Sequence, residues 1–149
     1  MNRSTEFRRA TVIEAFFNKM LGKLISLGIG PGHMRVLEVR GRRSGRRYAT
    51  PVDPIEVDGC TYLVAPRGQT QWVRNARAAG AVVLRRGASA RTYPVTELGT
   101  DQRAPLLKAY LNAYQTEVRR YFPIGADADL ESFNEIAEMY PVFRLEESG

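Results

Sequence analysis

Between Arg40 and Arg47 the chain reads Arg-Gly-Arg-Arg-Ser-Gly-Arg-Arg, five arginines in eight residues with two glycines among them. Glycine permits a tight reversal, so this stretch is expected to be a loop between strands. Such a loop presents backbone N–H groups, the Ser44 hydroxyl and several guanidinium forks to one small volume. That is the chemistry of a phosphate or carboxylate site. The surroundings carry the same signal. Residues 35–91 hold twelve arginines against four acids, a net charge of +8, whereas residues 92–149 are net −5. Of the 22 basic residues only Lys19, Lys23 and Lys108 are lysine. Arginine grips an oxyanion with two parallel hydrogen bonds, so the clustering points to an anionic partner. A general preference for arginine would explain the scarcity of lysine, but not the clustering.

Other chemistries lack their residues. His33 is the only histidine and lies in a Gly/Pro-rich stretch with no acid beside it in sequence, so it is expected at the surface. A Ser-His-Asp or Cys-His relay would have to pass through it. No two-histidine or His-carboxylate spacing marks a metal site, and Cys60 is the sole cysteine, which excludes an internal disulfide. Neither a G-x-G-x-x-G fingerprint nor a P-loop is present. An enzyme built on this chain must therefore take its reactivity from a bound cofactor. A nucleic-acid module would suit the charge, but Tyr48, Tyr62 and Trp72 are the only aromatics in residues 35–91, too few for base stacking. No nucleic acid is expected.

The elements that must position these residues can be read from periodicity. Phe7–Leu27 has apolar residues at three- and four-residue steps and predicts a first helix, stopped by Gly28, Gly30, Pro31 and Gly32. Its apolar stripe is read as core. A weak membrane-surface contact is the alternative, with only Lys19 and Lys23 in its favour. Met34–Val39 and Tyr48–Val57 predict strands, the second interrupted by Pro51 and Pro54 and so placed at an edge or bulge. Asp58-Gly59 predicts a hairpin turn into Thr61–Ala65. A loop over Pro66–Gln71, a short helix Trp72–Ala79 ended by Gly80, and a hairpin of Ala81–Arg86 with Arg91–Leu98 follow. Thr100 or Asp101 is expected to cap a long helix reaching about Tyr121. Leu130–Met139 predicts another helix and Val142–Leu145 a last strand. About six antiparallel strands with flanking helices make an α+β fold, and a small split β-barrel covers its edges most economically. The length suits one domain over residues 1–149. With no apolar run long enough to span a bilayer and no secretory pattern at the start, a cytoplasmic protein is expected.

Gly41-Arg42-Arg43-Ser44-Gly45, then Pro51-Val52, Asp58-Gly59, Tyr62-Leu63-Val64-Ala65, Gly68 and Trp72-Val73-Arg74-Asn75 occur in an order and spacing that resembles the deazaflavin-dependent nitroreductase family of actinobacteria. The resemblance implies a split barrel binding coenzyme F420. It implies that Arg42, Arg43 and Ser44 hold the cofactor's phosphate and acidic tail, with Arg46 and Arg47 supplying a basic group that the family carries where this chain has Tyr48. By the same resemblance Pro51, Val52 and Asp53 lie beside the ring, and Ala65, Pro66, Arg67 and Gly68 form the loop that meets ring and ribityl chain. Trp72 and Asn75 correspond to helix anchors, and Tyr121 is the candidate proton donor. Asp53 departs from the family, which commonly has an aromatic residue there. Tyr110, Tyr114, Tyr121 and Tyr140 are spaced differently from the family's substrate-shaping tyrosines. The implied activity is hydride transfer to a small electron-poor acceptor, an enone, quinone or nitro compound, by a monomer or homodimer. Two alternatives stay open: a split barrel using FMN, and a non-catalytic carrier of a cofactor, fatty acid or haem on the same fold.

Overall fold

The computed structural model describes residues 33–147. The predicted helix Phe7–Leu27, and with it the membrane-contact alternative, lies outside the described residues. Seven strands follow in the chain: β1 Arg35–Arg40, β2 Arg47–Val52, β3 Ile55–Val57, β4 Cys60–Val64, β5 Ala81–Arg86, β6 Ser89–Glu97 and β7 Val142–Leu145. They form one antiparallel sheet in the order β2-β1-β5-β6-β7-β4-β3.

That order forces curvature. β2 and β3 occupy opposite edges of the sheet, yet only Asp53 and Pro54 join them. Six inter-strand steps would separate the edges of a flat sheet by roughly 29 Å. Three Cα–Cα steps from Val52 to Ile55 reach at most about 11 Å. The sheet therefore rolls until its edges nearly meet, and the gap between them is bridged by Asp53-Pro54. Pro54 cannot donate to a ladder, which ends pairing at that point. The single interrupted strand expected over Tyr48–Val57 is thus two strands on opposite edges.

β6 turns the corner on the far side. Ser89–Pro94 pairs with β5, whereas Val95–Glu97 pairs with β7. Asp58 (φ 52°) and Gly59 (φ 79°) make the expected two-residue turn between β3 and β4, with Val57 opposite Cys60.

Two apolar clusters fill the molecule. Alternation along β4 and β7 sends Leu63 and Phe143 to one face and Val64 and Val142 to the other, so both strands are buried on both sides. Inside the curl, Leu37, Val39, Leu63, Val82 and Phe143 pack under Val73 and Ala76 of α1, Gln71–Ala79. Gly80 closes α1 in a left-handed conformation and donates to Ala76 O at 2.8 Å. On the outer face lie α2 (Ala104–Ala113), α3 (Gln115–Val118) and α4 (Leu130–Ile136), contributing Leu107, Tyr110, Leu111 and Phe133. The single long helix expected up to Tyr121 is broken. Tyr114 departs from helical geometry (φ −126°, ψ 38°), and Arg119–Tyr121 is a 3-10 turn. The cap also differs. Thr100–Gln102 forms its own 3-10 turn, with Gln102 Oε1 accepting from Gly99 N at 3.2 Å, before α2 begins at Ala104. In α4 the cap is Asp129, whose Oδ1 accepts from Ser132 N at 2.8 Å.

Glu97 ties the layers together. It takes two bonds from Arg77 of α1, at 2.6 and 2.7 Å, and a third contact from buried Arg103 at 3.3 Å. Arg103 also donates to Leu98 O and Ala137 O, both at 3.1 Å. Substituting Arg103 with Met removes donors from several buried acceptors at once and is expected to cost about 3–5 kcal/mol in urea unfolding. A loss under 1 kcal/mol would contradict this account. The bond from Arg77 holds the Glu97 carboxyl below its ordinary range. A depressed carboxyl adds stability above its unfolded pKa and loses it as pH falls through the folded value. Glu97→Gln is therefore expected to lower stability at neutral pH and to flatten the decline on acidification below about pH 4.5. Unfolding midpoints measured at several acid pH values check both parts.

Candidate functional site

The arginine turn is a six-residue loop between the paired residues Arg40 and Arg47. Gly41 N donates to Arg46 O at 2.6 Å and Gly45 N to Gly41 O at 3.0 Å. Ser44 Oγ accepts from Arg46 N at 3.2 Å. A Cβ on Gly41 would fall 2.5 Å from Cε2 of Tyr48, so glycine is what lets the Tyr48 ring lie over the turn.

The five arginines do not act alike. Arg42 points to the start of α1. Its Nη1 donates to Gln71 Oε1 at 2.9 Å and to Asn75 Oδ1 at 2.8 Å, and its backbone N–H reaches the same Asn75 oxygen at 3.1 Å. Asn75 is 3% exposed, so one buried amide fixes both the backbone and the side chain of the turn. Arg47 faces Glu38 at 3.5 Å, and Arg85 holds the other oxygen of Glu38 at 2.6 Å. Arg40, at the end of β1, and Arg43 and Arg46 in the loop are exposed and make no side-chain hydrogen bond or ion pair among the described residues. Cations without partners are the ones available to an external anion.

The second loop abuts the first through Gln71. Ala65 is buried and its N–H donates to Pro141 O at 2.9 Å; Pro66 and Gly68 are half-buried, and Arg67 is exposed. Gly68 has φ 79°, and a Cβ there would sit 3.2 Å from Met139 O, so its backbone is held against the chain entering β7. Thr70 precedes α1 without capping it, and its Oγ1 is buried with no hydrogen-bond partner among the described residues. A buried hydroxyl left unpaired is costly. The unpaired guanidinium groups of Arg43 and Arg46 and the exposed Ser44 have the chemistry that an anionic group requires. Trp72 packs on Phe143, with ring centroids 5.7 Å apart, as part of the inner core. That is an anchor's position.

Pro51 and Val52 end β2, opposite Val36 and Arg35. Asp53 turns towards His33, whose Nε2 lies 3.2 Å from Asp53 Oδ1. Burial pushes the Asp53 carboxyl up, His33 opposes the rise and Glu117 adds to it. The His33 ring stacks on Tyr114 with centroids 4.6 Å apart, and the Tyr114 hydroxyl donates to Pro54 O at 2.5 Å. Sequence spacing had left His33 as a surface residue without an acid. Twenty residues separate it from Asp53, and only the pairing of β1 with β2 brings them together. Tyr121 is half-buried; its hydroxyl accepts from Arg120 at 2.7 Å and its carbonyl from the Tyr140 hydroxyl at 2.5 Å. Burial raises Tyr110, Tyr114 and Tyr140 above the usual phenol range. Among the described residues no three His, Cys, Asp or Glu side chains form a metal cluster, and no helix is long and apolar enough to cross a membrane.

Residues 8–128 match a family model described as F420H(2)-dependent quinone reductase. No curated protein matches the sequence. Among solved structures, the chain is similar to an F420-H2 dependent reductase, with 20% identity and a TM-score of 0.52 over 77% of this chain and 95% of that one. It is also similar to a domain-swapped dimer (18% identity, TM-score 0.56, 95% and 98% covered). A protein of unknown function from Agrobacterium tumefaciens gives 18% identity and a TM-score of 0.59 over 78% of this chain and 49% of that one. At these identities the structural likeness establishes the fold, a split β-barrel with flanking helices.

Asn75→Ala would strip the acceptor from two Arg42 donors. It is expected to cost about 2–3 kcal/mol of stability and to speed amide exchange through residues 41–46. Asn75→Asp keeps an acceptor and should recover most of both. Exchange rates unchanged by Asn75→Ala would mean that the turn holds its shape alone.

Proposed function

The chain belongs to the F420H2-dependent quinone reductase family, and on that premise we propose that its arginine turn takes the phosphate and acidic tail of coenzyme F420 so that a small quinone-class acceptor can be reduced beside the curled sheet. Enones and nitro compounds are further acceptors of the same electron-poor kind. The observation that carries this reading is the division of labour in the turn. Arg42 is consumed in locking the loop to α1, which leaves Arg43 and Arg46, with Ser44 between them, facing out from a fixed frame.

In this reading Arg43, Arg46 and Ser44 bind the anionic tail, and Arg42 positions them. Arg47 contributes a weaker field because Glu38 partly neutralises it. The loop of Ala65, Pro66, Arg67 and Gly68, with its exposed Arg67 side chain, lies nearer the ring, with Pro51 and Val52 walling its other side. When bound, reduced F420 supplies two electrons as hydride to an electron-poor centre. The protein's part is to hold the acceptor in place, exclude water and steady the negative charge that develops on it. Tyr121, already polarised by Arg120, is a proton donor in this scheme. The likeness to a domain-swapped dimer supports a homodimer as the assembly.

Fluorescence titration with oxidised F420 tests the reading. Arg43→Ala is expected to weaken binding by about 1.5–3 kcal/mol, the loss of a charge-assisted contact. FMN, which has one phosphate and no polyacid tail, should bind less tightly to wild type and respond less to the substitution. Equal F420 affinity in wild type and Arg43→Ala would remove the turn from the binding site.

A further inference from the structure

A groove of about 460 Å³ opens at the base of the arginine turn, and the reading above gives it no role. Arg40 stands directly opposite Arg47 on the β1–β2 ladder, and alternation puts Glu38 on the same face. Glu38 stands opposite Val83 and Val83 opposite Thr92, which carries that face across to β6. All five residues line the groove, and Ala78 and Ala79 at the end of α1 close it. Glu38 is the one acid among the lining residues and is already shared, with Arg85 at 2.6 Å and Arg47 at 3.5 Å. Arg40 is exposed and has no partner among the described residues. Three guanidinium groups thus meet one carboxylate, and two of the three face each other across a strand pair. Like charges set directly opposite destabilise such a pair. An anion between them removes that penalty.

We infer that this groove is a second oxyanion site, in which Arg40 and Arg47 grip the phosphate or carboxylate of a small organic anion. The inference goes beyond the reading above and stands without it, because Arg43 and Arg46 take no part. Ala78 and Ala79 belong to the last turn of α1. The carbonyl end of a helix repels negative charge, so the oxyanion sits on the β1–β2 side of the groove. The space is far larger than a lone oxyanion needs. The rest of the ligand therefore lies over the small residues Ala81 and Val83 towards Thr92, two strands and roughly 10 Å from Arg40. Glu38 sets the affinity from below: by holding Arg47 and Arg85 it lowers the positive field that an anion meets.

Backbone amide NMR of the protein without cofactor, titrated with inorganic phosphate at an ionic strength held constant with chloride, tests this. The amides of Arg40, Ala81 and Val83 should shift and saturate at millimolar phosphate. Arg40→Gln, which alters an exposed and unpaired side chain, should keep the fold and weaken that saturation about 10-fold. Glu38→Gln releases Arg47 and Arg85 and should tighten it about 3-fold. Arg43→Ala should change phosphate-induced shifts within residues 41–46 but not at Ala81 or Val83, which separates the groove from the turn. Equal affinity in wild type and Arg40→Gln overturns the site. So does the absence of a saturable shift at Ala81 and Val83 in both wild type and Glu38→Gln. Repeating the titration with F420 bound identifies the source of the oxyanion. Undiminished phosphate shifts in the groove assign it to a separate molecule, and displacement of phosphate assigns it to the acidic tail of F420. Failure of F420 to bind at all overturns the parent reading and leaves the phosphate result standing.

Discussion

The architecture depends on one short piece of chain. Asp53 and Pro54 carry the backbone from one edge of a seven-stranded sheet to the other, a distance that two residues cross only if the sheet is rolled. Everything near the site inherits this constraint. It brings the end of β2 to the start of β3 and turns Asp53 towards His33, two residues before β1. It also presents Pro54 O to Tyr114. The cost of curvature is met by apolar packing on both faces of β4 and β7, where Leu63, Val64, Val142 and Phe143 are almost wholly buried.

A second constraint is electrostatic. Several arginines crowded into a tight loop repel one another, and their long side chains are entropically expensive to order. The fold restrains the loop from outside its own sequence: the Asn75 oxygen, held on a buried helix face, accepts both from the backbone and from the side chain of Arg42. Glu38 draws Arg47 and Arg85 to one side. The positive charge left over is directional rather than diffuse.

Much of this was legible in the sequence, for identifiable reasons. Glycine's backbone limits are local, so Asp58-Gly59 and Gly80 announced their positions correctly, whereas Pro54 announced an interruption but not the change of sheet edge that it marks. Apolar runs announced β4 and β7. The break at Tyr114 was hidden, because the apolar periodicity through Leu106, Leu107, Tyr110 and Leu111 carries no sign that Tyr114 is drawn out to stack on His33. The arginine loop was visible as composition. Which arginine is internal was not, since Arg42 and Arg43 are chemically identical neighbours and only the position of Asn75 separates them. The His33–Asp53 pair was invisible for a related reason: residues far apart in sequence meet through strand register, and a single chain records no register directly.

β6 spends its first six residues on β5 and its last three on β7, so a single backbone serves as the seam of both halves. Neither half can fray inward without unstitching a strand that the other half also needs. The strands at the two ends of the sheet order, β2 and β3, have no such shared neighbour and are tied to each other only through Asp53 and Pro54.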